Sequence, residues 1–476
     1  MSTNYLLIDF GTTSTKSAQV DLSTGHFTNL QRHPAIPPDP TTPTTHHEIP
    51  LETIYSRFDQ ICRTQWDHTS YSGILLCSEM HGFTVLSKQG RPLSPYVSWL
   101  DARSLDPVDG TSIYDVLVEK LGSRFKAITG MKPRSGFPLM NLAHLAHQRA
   151  DLGESGFILS LPGWLAVAAE RARGVDFAGP PPEHPTLLAG MALYDVEAAI
   201  TAPELADAVE SLSGFRPELG RVGSSSTIAG HWQSPTATVP IYAGVGDHQC
   251  SVLGAAVAPH AMANLNLGTG SQVGVIDRRP ADPDVETRPY FDGSRLYAIT
   301  HIPAGRALAE YVGFLATVSD RPADEFWERL ASLDAAACAR ASLTFDLSIF
   351  EGARHFIGGG SIAGIVEGSL TPDNYLASLL RSFVGQYVEA LTIAAGDQRL
   401  DRCVLSGGIA RNLPHIADLL STRCRESGLA LEVAPAAALD ESLLGLRSLA
   451  LIAAGAAATY REAQKRFGRD AVVAGG

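Results

Sequence analysis

Tyr5-Leu6-Leu7-Ile8-Asp9-Phe10-Gly11-Thr12-Thr13-Ser14-Thr15-Lys16 opens the chain with an apolar run that breaks on a turn of small residues, after which residues 17–20 resume an alternating pattern. This is the signature of a strand, a tight turn and a second strand. The pattern returns half a chain later. Residues 263–276 read as strand, then Asn266-Leu267-Gly268-Thr269-Gly270-Ser271, then strand. One constant offset places Gly268 on Gly11, Thr269 on Thr12, Gly270 on Thr13, Ser271 on Ser14 and Asn266 on Asp9. Either turn alone reads as an ordinary β-hairpin, whereas two copies, each opening a half of the chain, point to two lobes of one plan. Small residues in such turns leave backbone N–H groups accessible to a polyphosphate.

The length of 476 residues is enough for two or three domains, and 45% hydrophobic content excludes a disordered chain. A net charge of -13, with no basic patch, argues against nucleic acid or an anionic membrane surface as the main partner. The six cysteines are scattered singly, as expected in a reducing compartment. Residues 1–4 lack the basic start of a signal peptide, and the longest apolar run, residues 443–458, is broken by Arg447 and Ser448 and reads as a buried helix. The expectation is a cytoplasmic protein.

Between and beyond the two turns, strands are expected at 73–77, 85–86 and 243–246, and helices at 112–121, 140–148, 196–212, 307–316 and 374–395. Alternating strands and helices in both halves predict an α/β class. Residues 224–240, rich in Ser and Thr with two Pro, are the best linker candidate, which sets expected domains at 1–238 and 239–476.

Four constellations carry candidate chemistry. Asp9, at the end of a buried strand, either holds Mg2+ through water beside a phosphate turn or merely caps that turn. Gly246-Asp247-His248-Gln249 follows a strand and starts a helix, so Asp247 is either a base facing a substrate hydroxyl or a helix N-cap. His248 is a substrate contact, a neighbour of the cap, or an exposed residue without a role. Ser406-Gly407-Gly408 with Asn412 forms a third small-residue turn, suited to the flat approach of a nucleoside. Ser78-Glu79-Met80-His81-Gly82 and Ser98-Trp99-Leu100-Asp101-Ala102-Arg103 form two polar clusters, in which Trp99, Asp101 and Arg103 offer a polyol a hydrophobic platform, an acceptor and a forked donor, unless Asp101 and Arg103 form a surface ion pair. No dinucleotide fingerprint, P-loop or Gly-x-Ser-x-Gly elbow occurs.

Taken in order, these motifs resemble the FGGY carbohydrate kinases, and the resemblance runs from residue 5 to about residue 456. It implies two ribonuclease-H-like, actin-like ATPase lobes around a deep catalytic cleft, with the first lobe holding sugar and the second ATP. It implies Asp247 as catalytic base and Asp9 as the Mg2+-organising carboxylate. Gly11, Thr12, Thr13, Lys16, Gly268, Thr269, Gly270, Ser271, Gly407, Gly408 and Asn412 fall at ATP-binding positions. Met80, His81, Trp99, Asp101, Arg103, Asp247 and His248 fall at sugar-facing positions. ATP and Mg2+ are the implied cofactors and a ketose the implied substrate, with no nucleic-acid or membrane partner; a homodimer is compatible with the resemblance. Residues 286–296 and 352–355 resemble the sedoheptulokinase branch, so D-sedoheptulose is the ketose expected; Met80-His81-Gly82 is shared with D-xylulose kinases, so D-xylulose or another pentulose or polyol is the alternative. Ala353 stands where that branch carries a Glu. A rival of another class is a nucleotide-gated binding protein of the actin or Hsp70 type, which shares the phosphate turns but needs no sugar.

Overall fold

The computed structural model describes residues 3–255, 261–268, 271–279, 285–435 and 439–467. It divides into two compact units: residues 1–256, 287–293 and 442–476 form the first, and residues 257–286 and 294–441 the second. The cut expected near residue 239 therefore falls inside the first unit.

In the first unit, strand Asn4–Phe10 is buried along both faces, with Leu6, Leu7 and Ile8 fully enclosed, and so sits at the centre of a sheet. It pairs antiparallel with Ser14–Asp21, placing Asp9 opposite Lys16, and parallel with Ile74–Ser78. Beyond Ser14–Asp21 lies Phe27–Pro34, antiparallel. Beyond Ile74–Ser78 lie Thr238–Tyr242, parallel to it, and Val245–Gly246, which also pairs with it. Helix Leu51–His68 turns Ile54, Phe58, Ile61 and Cys62 inward at three- and four-residue spacing to cover the sheet.

The second unit repeats the plan. Met262–Asn266 pairs antiparallel with Ser271–Asp277 and parallel with Arg402–Ser406; Arg295–Ile302 continues the antiparallel side and Glu432–Ala434 the parallel side. The long helix Pro372–Ala395, N-capped by Thr371, supplies much of the apolar core. The two hairpins differ in one respect. Asn266 faces Gln272, where Asp9 faces Lys16, so the second hairpin carries no charge pair.

Two expectations need correction. Residues 224–240 are no linker: Ile228–Gln233 and Thr238–Tyr242 form an antiparallel hairpin at the edge of the first sheet. Trp232 is buried there, stacked on Tyr71 and bonded through Nε1 to Asp59 Oδ1 at 2.8 Å. The Ser and Pro that suggested a linker make its turn, in which Ser234 Oγ accepts the Ala237 N–H at 2.7 Å. Likewise, residues 196–212 are not helical throughout. Tyr194–Asp195 and Ile200–Thr201 pair as a short ribbon, and the helix runs over Pro203–Ser213, from a first-turn proline to Gly214 in the left-handed conformation.

The strands at 74–78 and 84–86 and the helices Ile113–Leu121, Pro138–Gln148 and Gly305–Ser319 lie where the sequence pattern puts them. All six cysteines are buried, and among the described residues none forms a disulfide. Among the described residues no helix is long and apolar enough to cross a membrane.

Candidate active site

In the first unit, three acidic side chains come together from strand ends. Asp9 ends the central strand; Glu79 follows the neighbouring strand, its N–H donating to Phe10 O at 3.0 Å; Asp247 begins helix Asp247–Gly254 after Val245–Gly246, which pairs with the same neighbouring strand. Carboxyl ends of parallel strands are where open α/β sheets place their ligands.

Asp247 is the first helical residue, not the N-cap, a position taken by Gly246. The Gly246 N–H donates to Thr186 Oγ1 at 3.0 Å, which fixes the entry to the helix. The Asp247 carboxylate accepts the His248 N–H at 2.7 Å. Burial pushes its pKa up to about 7, helped by the negative charges of Asp9 and Glu79 and opposed by that hydrogen bond and by Arg288. His248 is buried rather than exposed, with Nδ1 3.4 Å from Arg288 Nη1.

Asp9 Oδ2 accepts from Lys16 Nζ at 3.2 Å and from Ser442 Oγ at 2.6 Å, and Oδ1 from the Cys77 thiol at 3.4 Å. Among the described residues no group of three or more metal-ligating side chains occurs. Mg2+ needs no such cage, since one or two carboxylates with waters and substrate phosphates commonly hold it. Asp9, beside an accessible small-residue turn and in the field of two further acids, fits that mode.

Glu79 belongs to the polar cluster at residues 78–82, but the sequence gives it no role of its own. Its Oε1 accepts Tyr96 Oη at 3.1 Å and Ser98 Oγ at 3.0 Å, and its Oε2 accepts Thr12 Oγ1 at 2.9 Å. Trp99 Nε1 donates in turn to Thr12 Oγ1 at 2.9 Å. Burial raises the Glu79 pKa, and its hydrogen bonds work against that rise. An acid directly ahead of Met80-His81-Gly82 was the available signal. Ser442, 433 residues from Asp9, gave none.

The sugar-facing set divides. Trp99 is 39% exposed, while Met80 is buried against Gly246. His81 sits in the left-handed region at φ 67°, its Nδ1 2.8 Å from Gly190 O and its ring 4.6 Å from that of Phe137. Such strain in a non-glycine residue concentrates at functional sites. Asp101 and Arg103 are no surface pair. They are 1% and 2% exposed, joined by two hydrogen bonds of 2.8 Å, and Arg103 also reaches Glu48 at 2.7 Å. Backbone N–H groups of His47 and Arg103 complete the Asp101 shell. Burial acts to raise the Asp101 pKa, but Arg103 outweighs it and holds the acid below its usual range. The polar atoms of Asp101 are thus engaged within the protein, supporting the segment that carries Trp99.

In the second unit, Gly268 N–H donates to Ser271 Oγ at 3.2 Å, and Thr269 and Gly270 lie outside the described residues. Gly407 adopts φ 91°, and a Cβ there would stand 2.6 Å from Asn266 Oδ1 and Leu267 O, so only glycine lets this turn close on the first. Gly408 opens onto free space and Asn412 is exposed at the end of the short helix Gly408–Asn412. Near Ala353, Arg354 pairs with Glu389 at 3.0 Å.

Residues 4–160 match the N-terminal domain of the FGGY family of carbohydrate kinases. Xylulose kinases are similar in sequence. That of Lactococcus lactis is 23% identical over 216 residues, covering 44% of this chain and 40% of the relative. That of Streptomyces rubiginosus is 25% identical over 285 residues, covering 58% and 55%. The chain spans about half the length of these curated relatives. In three dimensions, xylulose kinase from Rhodospirillum rubrum superposes with a TM-score of 0.79 at 15% identity, over 97% of this chain and 92% of the other. Plasmodium falciparum glycerol kinase with ADP gives 0.75 at 16% identity, over 99% and 93%. These likenesses establish the fold of the FGGY kinases, with two actin-like ATPase lobes.

Proposed function

We propose that the chain is an ATP-dependent sugar kinase that phosphorylates the terminal primary hydroxyl of a ketose, with Asp247 as general base. The observation that carries the reading is Asp247 itself, a carboxylate at the carboxyl end of the first sheet with a pKa pushed up to about 7. A base tuned to the working pH can accept a hydroxyl proton as the oxygen attacks the γ-phosphorus.

The remaining residues take supporting roles. Trp99 gives the carbon chain of the sugar a flat surface, and His81 and His248 flank it with ring nitrogens. Asp9 faces the metal side of the nucleotide, where Mg2+, when bound, neutralises phosphoryl charge. The Gly11 and Gly268 turns offer amides to the phosphates, and Gly407, Gly408 and Asn412 adjoin the nucleoside. The xylulose kinase relatives favour D-xylulose over the seven-carbon D-sedoheptulose that residues 286–296 suggested.

The test is ADP release with Mg-ATP across D-xylulose, D-ribulose, L-ribulose, D-sedoheptulose, D-fructose, glycerol and erythritol. The expected result is a rate highest with D-xylulose; full-rate ATP hydrolysis without any acceptor refutes the sugar kinase and favours the nucleotide-gated binding protein. Asp247→Ala is expected to retain ATP binding and to lower turnover by about 10²–10⁴-fold. Near-normal turnover removes Asp247 from the role of base.

A further inference from the structure

Glu79 lies outside every role assigned above, yet it holds together the two parts of the first-unit site. Three hydroxyls converge on its carboxylate, those of Thr12, Tyr96 and Ser98. Thr12 belongs to the phosphate turn, whereas Tyr96, Ser98 and Trp99 belong to the sugar platform. A threonine hydroxyl has one proton to give and two lone pairs to receive. That of Thr12 gives its proton to Glu79 Oε2 and receives the indole N–H of Trp99, both at 2.9 Å. The proton that a phosphate oxygen would need is thereby committed elsewhere.

We propose that Glu79 is a positioning residue that keeps the Thr12 hydroxyl turned into the protein, so that the phosphate turn meets its anion through backbone amides and not through the Thr12 side chain. The inference rests on the kinase reading for its ligand but on the Trp99–Thr12–Glu79 chain for its substance. Three donors to one buried carboxylate stabilise its ionised, acceptor-only form. Tyr96 is held equally firmly: it is fully buried, and its hydroxyl lies where a Cβ on Gly82 would fall, 1.8 Å away. Glu79 therefore has little freedom to turn from Thr12 when a nucleotide arrives.

Two substitutions separate this role from simple packing. In Glu79→Gln an amide oxygen still receives Tyr96 and Ser98, but the NH2 group faces Thr12 and makes it an acceptor, which releases the Thr12 proton toward the ligand. Glu79→Asp keeps the charge but withdraws it from Thr12. The readouts are ATP affinity by calorimetry on the full chain and the Trp99 indole N–H resonance in ¹⁵N-tryptophan-labelled protein, assigned among five indoles by Trp99→Phe. Both variants are expected to shift the Trp99 resonance and to bind ATP about three- to tenfold more tightly, the worth of one added hydrogen bond. In a Thr12→Val background the gain falls below about twofold. An equal gain with and without the Thr12 hydroxyl, an unmoved indole resonance, or unchanged ATP affinity in either variant overturns the proposal while leaving the kinase reading standing. A wild-type chain that binds no ATP overturns the kinase reading and, with it, the ligand half of this one.

Discussion

Replacing Asp247 by Asn should make the protein more stable, and only above about pH 4. The ordinary pKa of 3.8 is pushed up to about 7 in the folded chain, and each unit corresponds to about 1.4 kcal/mol. Holding this side chain ionised therefore costs the folded state up to about 4 kcal/mol, an upper bound because the side chain keeps some contact with solvent. The direction follows from proton binding. Between about pH 4 and pH 7 the folded state retains the Asp247 proton and the unfolded state releases it, so stability falls as pH rises through this interval and is level above it. Asn carries no charge at any pH and still accepts the His248 N–H. Urea unfolding of wild type and Asp247→Asn should thus coincide near pH 4 and separate progressively, with the variant more stable by a few kcal/mol near pH 8. Equal stability at both pH values, or a variant less stable near pH 8, would refute the burial and charge argument for this site.

Other substitutions probe the supports. Arg103→Ala leaves Asp101 buried without its cation and should cost about 3–5 kcal/mol in urea unfolding, far more than an exposed pair would. Gly82→Ala forces a methyl into the Tyr96 hydroxyl and should cost about 1–3 kcal/mol, with loss of the Tyr96–Glu79 bond visible as a lowered Tyr96 pKa in spectrophotometric titration. Ser442→Ala removes the 2.6 Å bond to Asp9 and should weaken stability by about 1–3 kcal/mol near pH 7. Its cost should shrink in an Asp9→Asn background, measured as a double-mutant cycle.

What the sequence made legible were features with local causes. Both hairpins, the Gly407 turn and the long helix Pro372–Ala395 are written in adjacent residues: apolar runs, small-residue turns, a Thr cap followed by Pro. Residues 228–242 escaped because Ser, Thr and Pro mark a turn and a linker alike, and only the burial of Trp232 against Tyr71 tells them apart. For Asp247, residue patterns favoured an N-cap over a base, and only the family resemblance implied the base; the structure moves the cap to Gly246. Asp101 and Arg103 were recognised as partners but not as buried ones, since Glu48, which completes them, lies 55 residues from Arg103. Ser442 and Glu79 were hidden for the same reason, as each acts on a side chain in a remote part of the chain.

The first unit is woven from three stretches of chain, the last beginning at residue 442. A ribosome delivers residues in order, so Asp9 waits for the serine that bonds it, 433 residues further along the chain. The growing chain can build the hairpin and helix Leu51–His68 early, but the acidic centre receives this strut only once Ser442 has been made. A chain cut before Ser442 would thus keep all of the described strands and still lack the bond that secures Asp9 in its acidic centre.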